Sequence, residues 1–206
     1  MALLKRGVNF SLRQNINNGS IGQANAQIDA KIYREKAMCN AAEYAFERLL
    51  SHAKIKSVDF DSQTLIKIAK QHEIGLRRLK LALPYLKKEY GHSVRQVDGK
   101  YVTKLRWSNV PARVVLDYVF GLDQVFNWRG HHVGIDVTAN PESVYDKQGK
   151  LAGLKVLWRA IGIDFCSVFL VNIPEDRPAE MRVDALVSAI RKIVKAEGEQ
   201  VVELGL

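Results

Sequence analysis

Two aspartates in the segment LDQVFNWRGHHVGIDVT, residues 122–138, are the residues best spaced to do chemistry. The segment alternates polar and apolar residues and holds one turn candidate, Arg129-Gly130. A two-residue turn there predicts an antiparallel hairpin that puts the apolar residues on one face, and a slip by one residue would break that arrangement. Counting outward from the turn sets Asp123 opposite Asp136, with Thr138 beside it.

Opposed carboxylates on neighbouring strands need a compensating charge. Directly opposed residues have Cβ atoms about 5 Å apart, and like charges at that distance destabilise a sheet. Mg²⁺ or Mn²⁺ would compensate, since Mg²⁺ prefers oxygen ligands and commonly takes one or two protein carboxylates. Such an ion polarises a phosphodiester and lowers the pKa of an attacking water. The alternative is that Asp123 merely begins a strand and Asp136 faces solvent.

The helix predicted before this hairpin offers further carboxylates. Residues 26–56 are rich in helix formers, and Glu43 and Glu47 lie four residues apart on one helix face. They are candidates for a third acidic group, although simple exposure to solvent would also account for them.

The order of these elements resembles the PD-(D/E)XK nuclease superfamily. Its core is a helix, an antiparallel hairpin carrying an aspartate and then an acidic-x-lysine tripeptide, followed by a helix and a parallel strand. The corresponding elements here are the helix with Glu43 and Glu47, the hairpin with Asp123 and Asp136, a helix over about 146–161 and an apolar strand over 165–173. The resemblance implies a metal-dependent DNA endonuclease with Asp123 and Asp136 as ligands.

One position departs from the superfamily pattern, because Thr138 occupies the place of the lysine. That lysine is expected to orient the attacking water and stabilise developing negative charge. A lysine of the following helix could replace it, and of Lys147, Lys150 and Lys155 we favour Lys150. If none of them reaches the site, the resemblance implies a catalytically inactive fold that binds DNA without cleaving it.

Residues 62–90 resemble a helix-turn-helix, with apolar residues on one side of two successive helices. The stretch holds seven basic and two acidic residues, which favours phosphate contacts. An ordinary amphipathic helical hairpin has the same apolar pattern. After it, Asp98-Gly99 predicts a basic two-residue hairpin, which would be the wing of the motif or part of the main sheet. The candidate DNA-binding residues are Arg77, Arg78, Lys80, Lys87 and Lys100.

Composition bounds the class of protein. The 206 residues are 47% hydrophobic, and 31 Lys+Arg against 22 Asp+Glu give a net charge of +9, which suits a polyanion such as DNA. No long uncharged apolar window occurs, so we expect a cytoplasmic protein without a membrane partner. Two cysteines give no disulfide framework.

The sequence therefore predicts an α/β (α+β) fold with a mixed central sheet flanked by helices. Its predicted parts are a flexible arm (1–25), the first core helix (26–56), the helix-turn-helix with its hairpin (57–107) and a nuclease-like core (108–206). The leading hypothesis is a site-specific or mobile-element endonuclease that hydrolyses DNA phosphodiesters, working as a homodimer if it cuts both strands. The alternatives are a non-catalytic DNA-binding regulator or assembly factor, and a structural protein of a mobile element.

Overall fold

Helices and strands alternate along the chain in a computed structural model that describes residues 41–96, 98–172, 179–196 and 201–205. The helical segments are α1 (41–52), α2 (Ser62–Lys70), α3 (Glu73–Tyr90), α4 (Ala112–Val115), α5 (Val144–Gly153), α6 (Lys155–Ala160) and α7 (Ala179–Lys195). The strands are β1 (Gly91–Arg95), β2 (Tyr101–Leu105), β3 (Gln124–Trp128), β4 (His131–Thr138), β5 (Phe165–Asn172) and β6 (Val201–Gly205). The predicted arm and the first part of the first helix lie outside the described residues.

The central sheet has the strand order β3-β4-β5-β6. The β3–β4 pair is antiparallel, and the β4–β5 and β5–β6 pairs are parallel, so the sheet is mixed as predicted. The helices α5 and α6 connect β4 to β5, and α7 lies between β5 and β6 along the chain.

The register predicted for the β3–β4 hairpin is confirmed. Gln124 pairs with Ile135 and Phe126 with Val133, and the turn residues Arg129 and Gly130 have φ angles of 53° and 89°. Positive φ at both central residues is the signature of a type I′ turn, whose twist matches that of the strands it joins.

Both faces of the central sheet are buried, which the alternating pattern alone did not predict. One face packs Val133, Ile135 and Val137 against α1 and α7. The other face, which carries Asp136, packs under α5 and α6, so the alternative in which Asp136 faces solvent is wrong. The reason is that the parallel connections put helices on both sides of the sheet.

The two helices predicted over residues 62–90 are present as α2 and α3, joined by Gln71 and His72. They fit closely: a Cβ built on Gly75 would lie 2.3 Å from the backbone oxygen of Ala69. Their buried residues, including Leu65 and Leu79, belong to the same hydrophobic cluster as α4 to α6. The helix pair therefore shares its core with the helices that cover the sheet.

The strands β1 and β2 form a separate two-stranded antiparallel sheet, so this hairpin is not part of the main sheet. Its loop differs from the predicted two-residue turn. The Gln96 amide donates to the Lys100 carbonyl at 2.7 Å, which leaves three residues in the loop, and Gly99 has a φ of 84°. A three-residue loop with glycine in the left-handed region is the next most common way to close a hairpin.

Two helical features were not predicted. The helix α4 continues as a π-helical turn over Leu116–Phe120, which ends at Gly121 in the left-handed conformation with a φ of 69°. The single helix predicted over 146–161 is broken at Leu154 into α5 and α6. Within the described ranges, no helix is both long and apolar enough to cross a membrane.

Candidate acid–lysine site

Asp136 lies inside β4 with its side chain only 1% exposed, and two lysines bind it. The Lys147 ammonium donates to Oδ1, and the Lys150 ammonium pairs with Oδ2. Lys147 also donates to the Val137 carbonyl at 2.8 Å. The two lysines are three residues apart on α5, so they project from the same helix face and reach one carboxylate.

Thr138 explains why α5 starts where it does. Its Oγ1 accepts from the Asn140 amide at 3.1 Å and lies 2.8 Å from Ser143 Oγ, and the Asn140 side chain accepts from the Glu142 amide at 3.0 Å. These bonds hold the short turn between β4 and α5. The residue that replaces the expected lysine thus anchors the helix that brings two other lysines to the site.

Asp123 lies just before β3 and joins the hairpin through its side chain. Its amide donates to the Ile135 carbonyl at 2.9 Å, and its Oδ2 accepts from the Val137 amide at 2.7 Å. Burial, together with the nearby charges of Asp136 and Glu43, raises the pKa of Asp123 well above its ordinary value, against the opposing effects of Lys147 and the Val137 amide. The charges of the two aspartates therefore act on each other, as the predicted register requires.

Glu43 is the acidic group that α1 brings to the site. Its pKa is raised by burial first, then by Asp117 and Asp136, and Lys147 and Arg113 lower it. Glu47, the candidate one helical turn further on, is exposed, and only Glu43 of the two acts on Asp123. The structure thus brings Glu43 rather than Glu47 to the aspartates.

Asp117, which the sequence did not single out, lies on the π-helical turn beside the same groups. Asp117 is exposed on one side. Partial burial raises its pKa, the charge of Lys150 lowers it, and the charge of Asp136 raises it. The one signal for Asp117 was an aspartate directly after the apolar residues Val115 and Leu116, and no sequence pattern predicts a π-helical turn there. We name the set Glu43, Asp117, Asp123, Asp136, Lys147 and Lys150 the acid–lysine cluster.

Arg78, predicted to contact DNA, joins α3 to this cluster. Its Nε donates to the Val119 carbonyl of the π-helical turn at 2.8 Å. Burial lowers the pKa of Arg78, and the charges of Asp117 and Asp136 oppose that effect. Arg78 therefore links the basic helix to the acidic residues of the site.

The other predicted residues lie outside the cluster. Arg77 and Lys80 are exposed on α3, Lys87 is half-buried near its end, and Lys100 is exposed in the β1–β2 loop. Lys155 is exposed at the start of α6, where it lines a separate surface cavity with Tyr145 and Trp158.

The donor set suits a hard divalent cation in its chemistry. Asp123, Asp136 and Glu43 offer only carboxylate oxygens. Burial raises the pKa of Asp123 most, and the repulsion from Asp136 and Glu43 that adds to it is the kind that a cation relieves. Among the residues described, no three His, Cys, Asp or Glu side chains form a preassembled metal site. Two carboxylates with retained waters are the usual magnesium arrangement, so the pair of aspartates is compatible with Mg²⁺.

Comparison of the chain with protein-family models, with curated proteins and with solved structures finds no match in any of the three. We therefore infer the function from the geometry and chemistry of the cluster.

Proposed function

We propose that this protein is a magnesium-dependent DNA endonuclease of the PD-(D/E)XK type, site-specific or associated with a mobile element. The observation that carries the proposal is the pairing of Asp136 with the two α5 lysines, next to Asp123 just before the neighbouring strand. The order helix, antiparallel hairpin, helix and parallel strand supports it, because that order resembles the superfamily core.

Five groups of the cluster have a role in this proposal. Asp123 and Asp136 would hold the cation, with Glu43 as the third carboxylate. The bound cation would polarise the scissile phosphodiester and supply the acidified water that attacks phosphorus. Lys147, which is bound to both Asp136 and the Val137 carbonyl, orients the Asp136 carboxylate. We assign Lys150 to neutralising the negative charge that develops on the phosphoryl oxygens.

Nicking of supercoiled plasmid DNA tests the proposal. We expect nicking with Mg²⁺ or Mn²⁺ and none with EDTA. Asp136→Asn and Lys150→Met should each slow nicking by about 100-fold or more, the size typical of losing an electrostatic group from an active site. Asp146→Asn is the matched control, because Asp146 is an exposed carboxylate on the same helix.

Folding of each variant is checked by circular dichroism, since Asp136→Asn leaves two lysines without their carboxylate. A folded wild-type protein that nicks neither plasmid nor oligonucleotide DNA with either metal contradicts the proposal. So does a Lys150→Met variant that nicks as fast as Asp146→Asn.

A non-catalytic DNA-binding regulator or assembly factor is the second candidate. It is favoured by the pairing of both Asp136 oxygens with lysines, an arrangement that can serve structure alone. This candidate predicts tight, salt-dependent DNA binding in EDTA and no nicking with metal, with binding weakened by Arg77→Ala and unchanged by Asp136→Asn.

A further inference from the structure

The outer face of α3 exposes large apolar side chains between basic ones. Leu81 is 74% exposed and Tyr85 is 42% exposed, whereas Leu79 and Leu86 on the opposite face are buried. Arg77 lies one turn before Leu81, and Lys88 lies three residues after Tyr85; both are exposed. Residues at these spacings share one helix face, so we name Arg77, Leu81, Tyr85 and Lys88 the α3 stripe.

The stripe continues into an aromatic pair. The ring of Tyr85 stacks on the ring of Tyr118 with centroids 4.7 Å apart and planes 17° apart. Tyr118 follows Asp117 of the acid–lysine cluster on the π-helical turn. Stacking against a second ring holds Tyr85 in place while leaving much of its surface open.

A hydrogen bond also joins α3, which carries the stripe, to the π-helical turn that carries Asp117. Arg78, the neighbour of Arg77, donates to the Val119 carbonyl next to Tyr118. Because Tyr118 and Asp117 are adjacent residues, the Tyr85–Tyr118 pair lies next to the acidic residue that the π-helical turn contributes to the cluster.

The chemistry of the stripe fits a nucleic-acid strand. Its two cations can bind phosphates, and exposed aromatic rings bind bases by stacking, which every base permits. An apolar wedge such as an exposed leucine separates neighbouring bases in proteins that distort DNA. Seven basic against two acidic residues over positions 62–90 also favour a polyanion as the occupant.

We propose that the α3 stripe binds an unstacked base of the DNA strand whose phosphate lies at the acid–lysine cluster. Tyr85 stacks on the unstacked base, and Leu81 fills the space that this base leaves in the stack. Arg77 and Lys88 bind the flanking phosphates. The preferred substrate is accordingly DNA with unpaired or easily unpaired bases near the cleavage point. This inference rests on the proposed function in one respect, because it takes the acid–lysine cluster as the place of cleavage.

Binding is measured in EDTA, so that cleavage plays no part. The probes are a single-stranded oligonucleotide, a duplex and a duplex with one mismatch, each with 2-aminopurine, whose fluorescence falls when it stacks on tyrosine. We expect quenching with the single strand and the mismatched duplex, and little with the matched duplex. Tyr85→Ala should remove the quenching and weaken binding roughly tenfold, Leu81→Ala should reduce the quenching, and Tyr85→Phe should retain it.

Tyr145→Ala is the matched control, because Tyr145 is an 83% exposed tyrosine on α5 at a helical position turned away from Lys147 and Lys150. The inference is overturned if Tyr85→Ala binds and quenches like Tyr145→Ala. It is also overturned if the wild-type protein is a dimer in gel filtration while Leu81→Ala is a monomer that binds DNA as the wild type does. The stripe would then bind a second copy of the chain.

The two proposals fail separately. Quenching that depends on Tyr85, in a protein that never nicks DNA, supports the base-binding stripe and contradicts the nuclease. If the protein nicks DNA with metal and Tyr85→Ala changes neither binding nor quenching, the nuclease is supported and the base-binding stripe is contradicted.

Discussion

Lys150 reaches Asp136 by passing beside Gly121, the residue that ends the π-helical turn. A Cβ built on Gly121 would lie 3.1 Å from Lys150 Cε and 3.0 Å from Leu154 Cδ1. Gly121 also has a positive φ of 69°. At the residue scale, the position of one ammonium group therefore depends on the absence of a side chain on another element.

Gly121→Ala is expected to displace Lys150 as well as strain the backbone. Gly162→Ala is its control, because Gly162 has a φ of 80° and nothing within 4 Å of a built Cβ. Both changes should cost about 1–2 kcal/mol of stability from the left-handed backbone. Only Gly121→Ala should also slow nicking, by roughly tenfold or more, since small misplacements of catalytic groups are costly. Equal nicking rates for the two folded variants would count against a role for Lys150.

Cys166 gives a second prediction at this scale. Its thiol is buried, and burial raises its pKa well above the ordinary value, with Arg159 and the Gly134 backbone opposing. The thiolate is the reactive form, so raising the pH from 7 to 9 should not make Cys166 reactive in the folded protein. We expect a Cys39→Ser variant to react with Ellman's reagent only on unfolding in urea. Rapid labelling of the native variant at pH 9 would refute this.

At the element scale, the α2–α3 pair depends on close backbone packing. The Gly75 Cα lies against the Ala69 carbonyl, and Ala69 is fully buried. The pair supports Arg78, which in turn contacts the π-helical turn. Packing between α2 and α3 therefore affects the position of the site even though neither helix carries a cluster residue.

Gly75→Ala should destabilise the protein although alanine favours helix. The new Cβ would lie 2.3 Å from the Ala69 oxygen, so the helices must separate, at a cost of about 1–3 kcal/mol that exceeds the gain in propensity. Gly149→Ala on α5 has open space around its Cβ and should stabilise by about 0.5–1 kcal/mol. Urea unfolding measures both, and a stabilising Gly75→Ala would contradict the packing described.

At the scale of the whole molecule, the charge of +9 favours DNA binding, and α3 lies on the side of the sheet that α5 and α6 cover. The helix α7 packs on the opposite side. We therefore expect DNA to contact the α3 side, next to the acid–lysine cluster.

Salt dependence of DNA binding tests this orientation. Arg77→Ala and Lys80→Ala should each reduce the slope of log Kd against log salt by about 1, because each removes one phosphate contact. Lys192→Ala, an exposed lysine on α7, should leave the slope unchanged. The orientation is wrong if Lys192→Ala has the larger effect.

Local residue patterns are enough to predict the β3–β4 hairpin, its register and the opposition of Asp123 to Asp136. A short turn leaves few alternatives, and a slip by one residue would move the apolar set to the wrong face. Local sequence also indicated α2, α3, the β1–β2 hairpin and the strand β5, since hydrophobic periodicity and turn residues are local signals.

Long-range packing selects the distant groups that join the aspartates. The selection of Glu43 over Glu47 depends on how α1 is rotated against the sheet. The selection of Lys147 and Lys150 depends on where α5 begins, which the hydrogen bonds of Thr138 influence. Asp117 lies close because α4 widens into a π-helical turn. These contacts join residues far apart in the chain, and no local pattern encodes the packing that brings them together.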